Sequence, residues 1–267
     1  MDLETNTLLI ISLSILSAVL PSIILIWYFR RQDRFPEPIG IMMMTFFLGV
    51  LSVIPILVMA LSFQSWGTAL FPGMANSALG LAAFTAFVLA AIPEETLKYA
   101  VLTGYSANRS AFEEPMDGLV YGVCASLGFA TLENILYVGF TGEIEIAILR
   151  SVTAVPLHAC LGAIMGYYVG MGKFSDRVSL SSWRWKAWLI PVLLHGLYDL
   201  PLMWMAEKYK NVAKEKITGL DATFIFGCIG AVLVVLIVAF VLTVRLGKRL
   251  FAIQKEIVAL EESDLAE

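Results

Sequence analysis

Seven apolar stretches, each long enough to cross a bilayer as a helix, constrain this 267-residue chain more than any other feature. A hydrocarbon core needs about 20 predominantly apolar residues in helical form. The segments 7–29, 39–63, 78–104, 117–140, 146–171, 186–206 and 222–244 meet that requirement. Within lipid every backbone N–H and C=O must be satisfied inside the segment, so each is predicted to be a helix. Composition agrees: 59% of residues are hydrophobic and 15% are charged, where a soluble domain carries about 25% charge. The expected fold is all-α, a polytopic membrane protein forming one domain over residues 1–267.

Several classes fall away early. The net charge of −4 gives no basic footprint for nucleic acid. Cys124, Cys160 and Cys228 lie in apolar segments without CxxC spacing, which fits packing residues better than a disulfide frame or a thiolate zinc site. The start, MDLETNTLLI, lacks a basic n-region and a small-residue cleavage site, so the first apolar segment is read as a retained helix.

Lysine and arginine placement sets the expected orientation. One set of loops carries twelve, among them Arg30, Arg31, Arg34, Lys173, Arg177, Arg245, Lys248 and Arg249; the other carries five, Arg150, Lys208, Lys210, Lys214 and Lys216. That asymmetry predicts a multi-pass protein of the cell membrane with the N-terminus outside and the C-terminus cytoplasmic. The tail after 244 is expected to leave the bilayer as a helix along its cytoplasmic face.

Against this apolar background, charge is confined. Spans one, two and seven carry no charged residue or histidine, whereas span three has Glu94, Glu95 and Lys98, span four Glu133, span five His158, and span six His195 and Asp199. Each charge near a bilayer centre costs about 2.5–3.5 kcal/mol on insertion scales. Confinement to four consecutive helices points to one shared polar site. Counting about 1.5 Å of rise per residue from the cytoplasmic ends puts these groups about 14–24 Å deep, in a cavity expected to open toward the cytoplasmic half. Asp117, at the start of span four, is expected at its mouth. Pro93, Pro156 and Pro191 stand just before Glu94, His158 and His195, and kinks there would widen the pocket.

The residue types point to water activation. His195 and Asp199 are i and i+4 and share a helix face, so Asp199 can fix the imidazole tautomer or act as a metal ligand. Lys98 can neutralise Glu94 or Glu95, leaving the other carboxylate as a general base. Glu94 is the preferred base, with Glu95 and Lys98 as its support, although the reverse assignment satisfies the same spacing. Glu133, with Asn134 beside it, suits a helix-to-helix hydrogen bond, a ligand or a second polariser. His158 and His195 with a carboxylate, Asp199 or Glu133, make a zinc ligand set. Without metal, the same groups can act as a glutamate base with histidine polarisers.

Several blocks also carry a resemblance. "RQDRFPEPIG", "PEETLKYAVL", "EEPMDGLVYGVCASLGFATLENILYV", "PLHACLGAIMGYYVG" and "LLHGLYDLP" occur in order along the chain. Together they resemble the PrsW family of intramembrane proteases, within the wider superfamily of CAAX-processing and ABI-type membrane proteases. The resemblance implies a protease core over 31–206, followed by a C-terminal span and tail over 222–267. It implies hydrolysis of a peptide bond in a single-span membrane protein, an anti-sigma factor in the best-known member. It assigns catalysis to Glu94, Glu95, His158 and His195, with Asp199 beside them. Related CAAX proteases place an asparagine where Asp199 stands; an aspartate donates to an oxyanion only when protonated, so here Asp199 is expected to orient His195 or bind metal. Two other readings fit the buried charges: a proton-coupled transporter, and a non-catalytic scaffold or receptor. The transporter reading is weakened by the lack of visible repeat symmetry.

Overall fold

A computed structural model of the chain describes residues 3–59, 77–141, 144–210 and 218–264, together with 62, 73 and 212. Among the described residues there are helices and short links and no strand. They are α1 (Leu3–Gln32), α2 (Ile39–Leu51, with helical turns resuming over 53–59), α3 (Ala78–Ala83), α4 (Ile92–Gly104), α5 (Pro115–Thr141), α6 (Ile144–Val152), α7 (Ala154–Lys173), α8 (Arg177–Tyr209) and α9 (Gly219–Asp264). A π-helical segment, Phe84–Ala91, joins α3 to α4.

Among the described residues, six stretches are long and apolar enough to cross a membrane: Ile39–Met59, Ala78–Asn108, Pro115–Tyr137, Ile144–Lys173, Leu180–Tyr209 and Asp221–Ala259. The chain is a multi-pass membrane protein. The predicted span 7–29 falls within α1, where most side chains before Ile15 lie outside the described residues. Residues 60, 61 and 63, at the end of the second predicted span, also lie outside them.

The prolines act differently from one another. The predicted fifth span is divided at Thr153 into α6 and α7, and Pro156 sits in the first turn of α7. A missing N–H costs nothing there, because no preceding turn offers a carbonyl, so this proline starts a helix instead of kinking one. Pro93 stands at the start of α4, directly after the π segment, which widens the backbone one turn before Glu94. Pro191 does lie within a continuous helix.

α5 forms the axis of the bundle. Leu119, Val123, Leu127 and Ala130 on α5 pack with Val155, Ala159, Ala163 and Ile164 of α7 in one buried cluster. The two backbones meet over glycines: a Cβ at Gly122 would stand 2.2 Å from the Gly162 carbonyl oxygen, and one at Gly166 would stand 2.0 Å from that of Gly118. Without a hydrophobic force between helices in lipid, such close backbone packing holds them together. It also brings the middle of α5 against the start of α7, where the buried polar groups lie.

α9 is one unbroken helix of 46 residues, about 69 Å at 1.5 Å per residue. The tail is therefore helical, as expected, but continues the last span without a turn onto the membrane face. Phe226, Val234, Ile237 and Phe240 on α9 are exposed, as suits a lipid-facing surface. At the basic end of the bundle, Gln254 of α9 is buried and donates to Asp33 at 2.8 Å.

Candidate active site

The site is built where four elements meet, at the starts of α4 and α7 and inside α5 and α8. α4 supplies Glu94, Glu95 and Lys98, all buried despite their charge. α7 supplies His158, α8 supplies His195 and Asp199, and α5 supplies Glu133. Lys98 lies at its centre. Its Nζ donates to Glu95 Oε1 at 2.8 Å and to His158 Nδ1 at 3.0 Å, and stands 3.5 Å from Glu94 Oε2. The Phe129 ring lies 4.2 Å from the same ammonium. A charge held in this way in low dielectric needs both its partners and the aromatic face to offset desolvation.

The two imidazoles meet edge to face, with centroids 5.1 Å apart at 89°. His195 Nδ1–H donates to Glu95 Oε1 at 2.8 Å, while its Nε2 is 3.2 Å from Asp199 Oδ2 and 3.8 Å from Glu94 Oε2. Because an ammonium has only donors, His158 Nδ1 carries a lone pair, and its Nε2–H donates to Glu133 Oε2 at 3.1 Å. Next to His195, Gly196 lets α8 close on the π segment, since a Cβ there would lie 2.2 Å from the Phe87 ring.

Arg150, counted in the loop set from the sequence, also belongs here. Its guanidinium pairs with Glu133 Oε1 at 2.7 Å, lies over Tyr137, and donates to Asn134 Oδ1 at 3.2 Å. Asn134 thus braces Arg150 and does not join the histidines. The available signal was Glu133 itself, a buried carboxylate needing a cation. Asp117 is not at this site. It caps the start of α5, accepting from the backbone N–H groups of Glu113 and Glu114, about 24 Å along the helix from Glu133.

The members of the site differ in exposure. The Lys98 and Glu95 side chains are 0% exposed, Glu94 9%, Asp199 16% and Glu133 24%. Lys98 is the α4 member nearest the basic end of the bundle. Asp199 and Glu133 lie toward the opposite end. The more exposed members of the site thus lie toward the end away from the arginine- and lysine-rich one.

Glu94, Glu95, His158 and His195 each offer a donor atom within 4.8 Å of the others. A family model described as "PrsW family intramembrane metalloprotease" matches residues 37–218. The chain belongs to that family. It is a membrane-embedded peptide hydrolase, and the matched region holds every polar residue of the site. It is 38% identical to Protease PrsW of Geobacillus kaustophilus over 192 residues, covering 71% of this chain and 80% of that protein. It is 37% identical to Protease PrsW of Bacillus subtilis, covering 71% and 83%, and 32% identical to that of Clostridioides difficile, covering 70% and 78%. No solved structure matches the chain.

The residues fit the metal that the family description implies. Two imidazoles with carboxylates are a catalytic zinc ligand set. Glu95 Oε2 is buried without a hydrogen-bond partner, as a ligand atom awaiting a cation would be. Charge agrees too: Glu94, Glu95, Glu133 and Asp199 face Lys98 and Arg150, which leaves two negative charges for a dication to balance. Coordination would have to replace the contact of Lys98 with His158 Nδ1 and to free one His195 nitrogen, Nδ1 from Glu95 or Nε2 from Asp199.

Proposed function

We propose that the chain is an intramembrane endopeptidase in which Glu94 is the general base for water and His158, His195 and Glu95 hold a zinc ion. The observation that carries this reading is the unequal grip on the two adjacent glutamates. Glu95 is clamped at 2.8 Å by both Lys98 and His195 and is fully enclosed. Glu94 is held only at 3.5 and 3.8 Å and has an edge toward the opening. A group that accepts a proton from water must reach water and must not be consumed by its neighbours.

When bound, zinc supplies Lewis-acid polarisation of the scissile carbonyl and a more acidic water. The chain's own residues do the rest. Glu94 takes a proton as the water oxygen adds to the carbonyl carbon, then returns it to the leaving nitrogen as the C–N bond breaks. Glu95 and Asp199 flank the His195 ring, and the one whose nitrogen is not given to the metal would hold its orientation. Glu133, neutralised by Arg150, holds Nε2–H of His158 and so sets that tautomer. Lys98 keeps Glu95 ionised in a dry environment.

The basic end of the bundle is cytoplasmic under the positive-inside rule, and the more exposed Asp199 and Glu133 lie toward the other end, which supports an opening on that side. The substrate class is a single-span membrane protein cut toward its extracytoplasmic side. The resemblance points to an anti-sigma factor. The test is reconstitution of the purified chain in liposomes with a single-span substrate tagged at both ends. Two complementary fragments whose junction lies in the extracytoplasmic half are expected. An intact substrate, or a junction on the cytoplasmic side, would overturn this reading.

A further inference from the structure

A second buried polar cluster lies at the basic end, where the segments "RQDRFPEPIG" and "EEPMDG" meet. Asp33, Glu37 and Asp117 each place a carboxylate oxygen within 4.8 Å of the other two, and all three are buried. Asp33 and Glu37 come from the link between α1 and α2, and Asp117 from the first turn of α5. Glu114 joins from just before α5. Gln254 of α9 donates its amide to both Asp33 and Glu114. From Asp117 to Glu133 is sixteen residues of α5, about 24 Å, so the cluster is separate from the hydrolytic site.

Four carboxylates gathered out of water require compensation. Among the described residues, none of the four has a basic side chain within ion-pair distance. Two cations stand nearby without pairing with these carboxylates: Arg30 reaches the Glu37 backbone carbonyl at 3.5 Å and keeps its own Nε buried and unpartnered, and Lys173 donates to the carbonyls of Ala107 and Phe112 at 2.8 Å each. Hydrogen bonds satisfy one oxygen on each acid. Phe35 N–H and Gln254 serve Asp33 Oδ1, Tyr121 OH serves Glu37 Oε2, and two backbone N–H groups serve Asp117 Oδ2. Asp33 Oδ2, Asp117 Oδ1 and the Gln254 carbonyl Oε1 are all buried without a donor.

Gln254 is the independent observation. It is neutral, 1% exposed, and comes from another helix, yet its amide head lies in the cluster with its acceptor unanswered. A proton shared between Glu37 and Asp117 would answer one carboxyl pair only. It would leave Asp33 Oδ2 and Gln254 Oε1 as they are. A cation answers all of them, and an all-oxygen donor set of carboxylates with an amide carbonyl is what hard divalent ions take.

We propose that Asp33, Glu37 and Asp117, with Glu114 and Gln254 beside them, form a second metal site that binds a hard divalent cation of the Mg2+ or Ca2+ class. By joining the α1–α2 link, the start of α5 and the extension of α9, the ion pins the long last helix to the bundle. The site needs neither the hydrolytic residues nor a substrate.

The test uses the full chain, purified in detergent, stripped with chelator and titrated separately with Mg2+, Ca2+ and Mn2+. Melting temperature and Mn2+ binding by electron paramagnetic resonance are the readouts. Saturable Mn2+ binding below millimolar, competed by Mg2+ or Ca2+, and a cation-dependent rise in melting temperature are expected. Asp33→Asn and Glu37→Gln should each weaken binding at least tenfold, whereas His195→Ala should keep it. Wild-type protein that binds no Mn2+ below millimolar overturns the proposal without recourse to any variant. So does binding that survives Asp33→Asn and Glu37→Gln unchanged, or that disappears with His195→Ala.

Discussion

Lys98 Nζ stands 3.0 Å from His158 Nδ1 and 2.8 Å from Glu95 Oε1, so a single ammonium ties α4 to α7 at the centre of the site. Removing one partner of a buried pair leaves the other charge uncompensated, which costs about 3–5 kcal/mol. Lys98→Met is therefore expected to lower the melting temperature sharply in detergent. Lys98→Arg should not restore it, because a planar guanidinium cannot replace a compact ammonium between three acceptors. A Lys98→Met protein as stable as wild type would mean that Glu95 is neutral in the fold.

Metal content gives a second check. About one zinc per chain is expected after purification without chelator, and chelator should abolish cleavage. His158→Ala and His195→Ala should each lose the ion, with a 10–100-fold or greater fall in affinity, whereas Asn134→Ala should retain it. Elemental analysis of each protein reads this directly. Full activity in metal-free wild type would return the chemistry to the glutamate and the imidazoles alone.

The glycine seam makes a stability prediction. A Cβ at Gly166 would lie 2.0 Å from the Gly118 carbonyl oxygen, a backbone atom that cannot swing away. Gly166→Ala must therefore separate α5 from α7, at a cost of about 1–3 kcal/mol or more. It should also reduce activity, because His158 and Glu133 sit across the same seam. Thermal melting and cleavage rate should fall together; loss of activity at unchanged stability would contradict this.

The acidic cluster predicts a pH dependence in chelated protein. The Glu114 carboxyl is pushed up to about 7, first by burial and then by the charges of Asp117 and Asp33, against the lowering hydrogen bond from Gln254. Asp33 and Glu37 are also raised, again chiefly by burial. A raised carboxyl means the folded chain holds protons that the unfolded chain has released. Stability from this source is present at low pH and is lost as pH rises from the ordinary carboxyl range through about 7. Melting temperature in chelator should fall between about pH 5 and pH 8, with a smaller fall in Glu114→Gln. A rise over that range would contradict the burial account.

Much of this was legible in the sequence because hydrocarbon makes charge conspicuous. Glu94, Glu95, Lys98, Glu133, His158, His195 and Asp199 stood out as polar exceptions in apolar spans, and the fold brings them together. Arg150 did not stand out, because a basic residue near a span end reads as a loop charge until its partner is known. Pro156 looked like a kink because its place relative to a helix start depends on Thr153 breaking the span. Asp117 was drawn to the wrong neighbours: its cluster depends on the α1–α2 link folding back onto α5, a tertiary contact with no local signature.

The most direct test compares Glu94→Gln with Glu95→Gln in one cleavage assay on a reconstituted single-span substrate, with zinc content and melting temperature measured on the same preparations. Glu94→Gln is expected to keep its zinc and its stability while losing about 10²–10⁴-fold in cleavage rate, the range for a lost general base. Glu95→Gln is expected to lose zinc and stability along with activity. Undiminished cleavage by Glu94→Gln, with the substrate cut at the same bond, would contradict the assignment of water activation to Glu94.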